Sequence, residues 1–83
     1  MTFAERNDTI TERIVAIKAI HDKYTSSARL LKSEEWDRYM ELMTNEVEKV
    51  RGTNLESFVY DLVICFQNDT EDVQRRLKNV KKD

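Results

Sequence analysis

Residues 55–66 read Leu-Glu-Ser-Phe-Val-Tyr-Asp-Leu-Val-Ile-Cys-Phe, and this segment decides the fold. At about 100° per residue, seven apolar positions in this segment and after it fall within roughly 40° of one line. These positions are Leu55, Val59, Leu62, Phe66, Val73, Leu77 and Val80. The line continues through Asn68-Asp69-Thr70, which predicts one helix over about 54–81. A break near residue 69 is the alternative, because Asp and Thr are good N-caps.

A first helix over about 3–31 is predicted by mostly apolar side chains in alternating steps of three and four residues, with the polar Asn7 filling one position. They are Phe3, Ile10, Ile14, Ile17, His21, Tyr24, Ala28 and Leu31. Thr2-x-x-Glu5 and Thr9-x-x-Glu12 both fit a capping box, so the helix begins at one of the two. Thr25-Ser26-Ser27 has weak helix propensity, which makes a break near residue 26 the alternative to a continuous helix.

A second helix over about 34–51 is predicted between these two. Ser33 is a capping residue, and acidic side chains follow it at the positive end of the helix dipole. The apolar stripe of this helix is Trp36, Met40, Met43, Val47 and Val50. Gly52 ends the helix, because glycine readily adopts the left-handed conformation that follows a helix end. Thr53-x-x-Glu56 then fits a capping box for the third helix.

Composition agrees with an all-α fold. The chain has 83 residues, no Pro, one Gly and 36% charged residues, so it has few turn-forming residues. We predict one helical domain over 1–83, a small antiparallel three-helix bundle that self-associates, since a core of this size contributes little stability. Charged residues near the start and a single cysteine, Cys65, predict a cytoplasmic protein. The apolar stretch at 58–66 is too short to cross a membrane.

The segment 58–66 also predicts a binding surface. Tyr60 and Ile64 point roughly 140–180° away from the core line, so the helix is apolar on all sides there. A second copy of the chain or a different protein is expected to cover it, and scattered exposure without consequence is the alternative. Tyr39 and Leu42 either widen this patch or serve a broad core-facing surface. The predicted partner or self-association residues are Phe58, Tyr60, Ile64, Leu42 and Tyr39.

Charge is distributed unevenly along the chain. Residues 34–72 carry eleven acidic and three basic side chains, whereas residues 73–83 carry five basic and one acidic. The basic residues could contact phosphate groups or an acidic partner, or simply complement the helix end. They are Arg75, Arg76, Lys78, Lys81 and Lys82. The acidic residues of the second helix could form a contact face that imitates DNA, or an ordinary solvated face. Those proposed for contact are Glu34, Glu35, Asp37 and Glu41.

No catalytic set is recognisable, so no enzyme, cofactor or metal site is predicted. The one histidine, His21, is expected to find a local hydrogen-bond partner near a helix face. Cys65 lies in an apolar segment, where a thiol is expected to be inert. Carboxylate pairs at Glu34-x-x-Asp37 and Asp69-x-x-Asp72 leave a magnesium-dependent all-α nucleotide pyrophosphatase as a remote alternative.

Together these patterns predict a non-enzymatic protein–protein interaction module, acting as a small regulator, adaptor or inhibitor. A homodimer is the expected form. The main alternative is a dimer that associates with nucleic acid through its basic C-terminal end, although the acidic net charge of −2 does not favour it. The other alternative is an inhibitor of the DNA-mimic type.

Overall fold

A computed structural model describes residues 2–27 and 29–80 and contains three helices. They are α1 (Phe3–Thr25), α2 (Ser33–Glu48) and α3 (Glu56–Val80). Each helix packs against both others, which confirms the small three-helix bundle. The rings of Tyr24 and Tyr39 lie 5.3 Å apart and Arg13 pairs with Glu46, so α1 and α2 run antiparallel. The bundle is elongated, with extents of 53 × 20 × 17 Å.

The helix α1 begins at the earlier of its two predicted caps. The Thr2 hydroxyl accepts a hydrogen bond from the Glu5 N–H at 3.1 Å, and the Glu5 carboxylate accepts one from the Thr2 N–H. The helix ends at Thr25 and not at residue 31, so the break near residue 26 is confirmed and the continuous helix is wrong. Ala28, on the predicted stripe, lies outside the described residues.

The chain leaves α1 early because a side chain of α3 binds the backbone that follows. The Gln74 amide accepts a hydrogen bond from the Leu31 N–H at 2.8 Å and donates one to the Arg29 carbonyl at 3.1 Å. Gln74 is buried, with an exposed fraction of 9%. Both halves of its amide thus replace helical hydrogen bonds, and Leu31 is half-buried outside any helix.

The connection between α2 and α3 is longer than predicted. The helix α2 ends at Glu48 and α3 begins at Glu56, where the sequence predicted residues 51 and 54. Gly52 has the expected positive φ, +78°. The predicted capping box at Thr53 is wrong, because Glu56 accepts its hydrogen bond from the Gly52 N–H at 2.8 Å. Ser33 is likewise the first residue of α2 rather than its cap, and Lys32 precedes it.

The helix α3 is continuous through Asp69 and Thr70, which confirms the favoured prediction over a break at this point. Thr70 is fully buried and its hydroxyl donates to the Phe66 carbonyl at 3.0 Å, so it does not act as a cap. The predicted helix end at residue 81 lies outside the described residues.

The core is centred where the three helices meet. Its buried apolar residues are Ile17, Tyr24, Tyr39, Met43, Val50, Leu55, Val59 and Val63. On α2 the buried positions are Tyr39, Met43 and Glu46, so the stripe is displaced by one residue from the predicted Met40 and Val47. Glu46 is accommodated because Arg13 and Lys49 both pair with its carboxylate.

The ends of α1 and α3 extend beyond the core, because α2 is shorter than both. At 1.5 Å per residue, α2 is about 24 Å long, whereas α1 and α3 are about 34 and 37 Å. Phe3 and Val80, both predicted on apolar stripes, have exposed fractions of 85% and 71%. These residues therefore add little to the core.

Candidate functional site

An open apolar groove lies between α2 and α3 on the surface of the bundle. Tyr60 and Ile64, four residues apart on α3, form one wall, and Met40 and Val47 of α2 form the other, with a cavity of about 260 Å³ between them. A neighbouring cavity of about 320 Å³ shares Val47 and Tyr60 and continues the depression. These two cavities together are the α2–α3 groove.

Two large side chains of the α2–α3 groove are substantially exposed. Tyr60 has an exposed fraction of 54% and Met40 one of 44%, while Val63 beneath them is 4% exposed. The Gln67 side-chain amide donates to the Met40 sulfur at 3.2 Å, which orients the methionine at one end of the groove. The groove thus has a buried valine at its floor and an exposed large side chain on each wall.

The polar lining of the α2–α3 groove is mostly acidic. Its charged residues are Glu48, Glu56, Asp61 and Arg51. The Arg51 guanidinium pairs with Glu48 and so does not balance the other two carboxylates. The described groove lining therefore has a net negative charge.

The structure brings together only part of the predicted partner set. Phe58 is two residues from Tyr60, so helix geometry turns the two side chains about 160° apart. Phe58 is 42% exposed but does not line the groove. Leu42, two residues from Met40, is half-buried and packs against the core. The two are therefore separate from the Tyr60–Ile64 surface.

The burial of Tyr39 contradicts its predicted role in binding a partner or a second copy. It is fully buried, its ring lies 5.6 Å from that of Trp36, and its hydroxyl lies 2.8 Å from the Thr70 hydroxyl. Burial raises the pKa of Tyr39. Its other predicted role, in a core-facing surface, is the one the structure shows. Met40 and Val47 were missed as groove residues because the sequence placed them in the core.

His21 is held between two carboxylates, which confirms the expected local partner. Its Nδ1 lies 2.9 Å from an Asp22 oxygen and its Nε2 lies 2.6 Å from an Asp69 oxygen. Both ring nitrogens of His21 are therefore engaged by side-chain carboxylate oxygens. Lys18 and His21 together lower the pKa of Asp22 through their hydrogen bonds. The cluster joins α1 to α3.

Cys65 is exposed, so the buried setting from which its thiol was predicted to be inert is wrong. It borders a shallow cavity of about 180 Å³ together with His21, Phe66 and Asp69. Cys65 is exposed because the helical rotation of α3 points its side chain away from the buried line through Val59 and Val63.

The basic residues at the end of α3 are exposed and partly paired. Asp72 lies 3.5 Å from Arg75 and 2.8 Å from Arg76, and both arginine side chains remain largely exposed. Lys78 is exposed too, while Lys81 and Lys82 lie outside the described residues. A contact of this strip with phosphate groups stays a prediction.

The acidic residues of α2 divide into two kinds. Glu34, Asp37 and Glu41 are exposed, and Glu41 pairs with Arg38 at 3.2 Å. Glu35 instead accepts hydrogen bonds from the Arg29 guanidinium and from the Lys32 N–H at 3.0 Å. The Arg29 bond first, and the Lys32 bond second, lower the pKa of Glu35 to about 2. Glu35 thus fastens the α1–α2 connection to the start of α2.

Residues 2–27 and 29–80 contain neither a metal-binding cluster nor a membrane-spanning helix. No group of three or more His, Cys, Asp and Glu side chains there is arranged to hold a metal ion. In the same ranges, no helix combines the length and the apolarity needed to cross a membrane.

The chain matches no protein-family model, no curated protein and no solved structure.

Proposed function

We propose that this chain is a non-enzymatic interaction module that binds another protein through its α2–α3 groove. The observation that carries the proposal is the exposure of Tyr60 and Met40 on opposite walls of one open apolar depression. In this role the chain acts as a small regulator, adaptor or inhibitor. The unpaired thiol of Cys65 fits a reducing compartment, and we propose the cytoplasm.

The chemistry of these side chains suits binding. Tyr is enriched at interface hot spots because its ring provides a large contact area and its hydroxyl remains able to hydrogen-bond. Met has a flexible, polarisable side chain that adapts to different partners. Covering them would remove from water apolar area worth about 25 cal/mol per Å². The groove therefore offers a partner both an anchor and an adaptable wall.

Photo-crosslinking in the cells that make the chain tests the proposal. The photoreactive residue p-benzoylphenylalanine would replace Tyr60 in one variant and Val15 in a control. Val15 is 63% exposed on α1 and is not among the residues that line the groove. We expect an ultraviolet-dependent protein adduct from position 60 that is absent, or at least about tenfold weaker, from position 15.

Mass spectrometry of the adduct identifies what the groove holds. An adduct with another protein, or with a second copy of the chain, supports binding at this groove. If position 60 gives no adduct, or if both positions give the same adducts in equal amounts, the α2–α3 groove is not a specific binding surface.

A further inference from the structure

We propose that the occupant of the α2–α3 groove is a cationic amphipathic helix of another protein. This inference rests on the proposed function and specifies its partner. It is carried by two observations together: apolar side chains line the centre of the groove over about three helical turns, and carboxylates border them.

The dimensions of the groove suit a short helix. On α3 the lining of the groove runs from Glu56 to Gln67, which is twelve helical residues with a rise of about 16 Å. That is the length of about three helical turns. A helix laid along it would place apolar side chains spaced by three and four residues against Val47, Tyr60 and Ile64.

The charges around the groove select a basic partner. The helix α2 contains six carboxylates and one cation, Arg38. Between Glu56 and Asp72, α3 contains five carboxylates and no Lys or Arg. Within the groove, Arg51 pairs with Glu48, while Glu56 and Asp61 add further negative charge. Lys or Arg residues flanking the apolar stripe of a partner would complement these groups and speed association.

A second copy of the chain does not supply this charge. A two-fold dimer places the same surface on both sides of the interface, so the two acidic rims would face each other. The basic end of α3 cannot compensate, because Arg75 lies eleven residues, or about 16 Å, beyond Ile64. In an antiparallel pair centred on Tyr60 and Ile64, it would lie past the start of the opposite α3. Nucleic acid is disfavoured at the groove for the same reason, since its phosphates carry negative charge.

Three synthetic peptides distinguish the possible occupants. The first is a helix-forming peptide of four turns with Leu on one face and Lys elsewhere. The second replaces each Lys with Glu and keeps the apolar face, and the third keeps the composition of the first in shuffled order. Binding of each labelled peptide to the full chain is measured by fluorescence anisotropy at low and high salt.

We expect the Lys peptide to bind at least about tenfold more tightly than either control peptide. Its affinity should fall at least about fivefold between 50 and 500 mM NaCl, because screening weakens contacts to the acidic rim. Tyr60→Ser combined with Met40→Ser should weaken it at least about tenfold. Both side chains are exposed, so the fold should be retained, as circular dichroism would show.

Matched variants separate the groove from the rest of the surface. Val15→Ser removes an equally exposed apolar side chain from α1, and Asp61→Lys reverses a groove charge. Glu12→Lys reverses an exposed charge on α1. Binding of the Lys peptide should drop for Asp61→Lys and change less than about twofold for Val15→Ser and Glu12→Lys.

Three other outcomes of these experiments would contradict the proposal that a cationic helix occupies the groove. If the Glu peptide binds as well as the Lys peptide and loses affinity in the groove variant, the charge assignment is wrong while groove binding stands. A concentration-dependent dimer in sedimentation, abolished by the groove variant, identifies a second copy as the occupant. If the shuffled peptide binds equally, or none binds, this inference fails, and the position-60 crosslink alone decides the proposed function.

Discussion

The buried hydroxyl pair between α2 and α3 allows a sharp test of the fold. The Tyr39 and Thr70 hydroxyl oxygens lie 2.8 Å apart, and both residues are fully buried. Thr70 has a single hydroxyl hydrogen and donates it to the Phe66 carbonyl at 3.0 Å. Tyr39 must therefore be the donor to Thr70. We predict that Thr70→Val destabilises the bundle more than Tyr39→Phe.

The expected loss of stability in each variant depends on which buried hydroxyl loses its hydrogen-bond partner. Thr70→Val preserves volume and β-branching but leaves the Tyr39 O–H buried without an acceptor, which should cost about 2 kcal/mol. Tyr39→Phe leaves Thr70 bonded to the Phe66 carbonyl and should cost about 1 kcal/mol. The double variant removes both polar groups, so its cost should be less than the sum of the two by about 1 kcal/mol.

Urea unfolding followed by far-ultraviolet circular dichroism measures these values at neutral pH. Thr11→Val is the matched control, because the exposed Thr11 hydroxyl makes the same bond to the carbonyl four residues earlier, Asn7, at 3.1 Å. It should change the free energy of unfolding by less than about 0.5 kcal/mol. If Thr70→Val is no more destabilising than this control, or if the two single effects simply add, the assignment of donor and acceptor is wrong.

Three other predictions concern the loops between the helices and an ion pair that joins α1 to α2. Gly52→Ala should cost about 1 kcal/mol in urea unfolding, because φ is +78° although an added Cβ meets nothing within 4 Å; equal stability would contradict this. Arg13→Met should lower the free energy of unfolding by about 2 kcal/mol. This is less than the ~3–5 kcal/mol of a fully isolated buried charge, because Lys49 still pairs with Glu46. An unchanged free energy of unfolding would show that the Arg13–Glu46 pair makes no net contribution. The lowered pKa of Glu35, about 2, stabilises the fold above its ordinary value of 4.5 and loses that effect as the pH falls from 4.5 towards 2. Glu35→Gln should therefore reduce the loss of thermal stability over that interval, and an NMR titration midpoint near 4.5 in the native chain would rule this out.

Periodicity alone was sufficient for the number, order and direction of the helices. The line from Leu55 to Val80 predicted a continuous third helix. The favoured prediction of a continuous first helix to residue 31 was wrong, and the weak-propensity residues after Tyr24 indicated the observed break only as the alternative. Local chemistry also identified Gly52, since a positive φ is accessible to few other residues. These features depend on residues close together in the sequence, so they can be predicted from the sequence alone.

The rotation of each helix about its own axis was decided only by tertiary packing. The stripe of α2 contains enough apolar residues for two adjacent orientations, and Met40 and Val47 looked as suitable for the core as Tyr39. The observed orientation buries Glu46, whose carboxylate pairs with Arg13 across the interface and with Lys49. That rotation buries Tyr39 and turns Met40 outward, where it lines the α2–α3 groove on the wall opposite Tyr60.

The end of α1 was decided by the same kind of long-range contact. A buried glutamine of α3 satisfies the backbone at Arg29 and Leu31, 45 and 43 residues earlier in the chain. A hydrogen bond between residues so far apart in the chain cannot be predicted from the local sequence. Sequence by itself thus determined the helices and the presence of surplus apolar surface on α3. Packing determined which residues of α2 face that surface, because a side chain's burial depends on what lies opposite it and not only on its own helix.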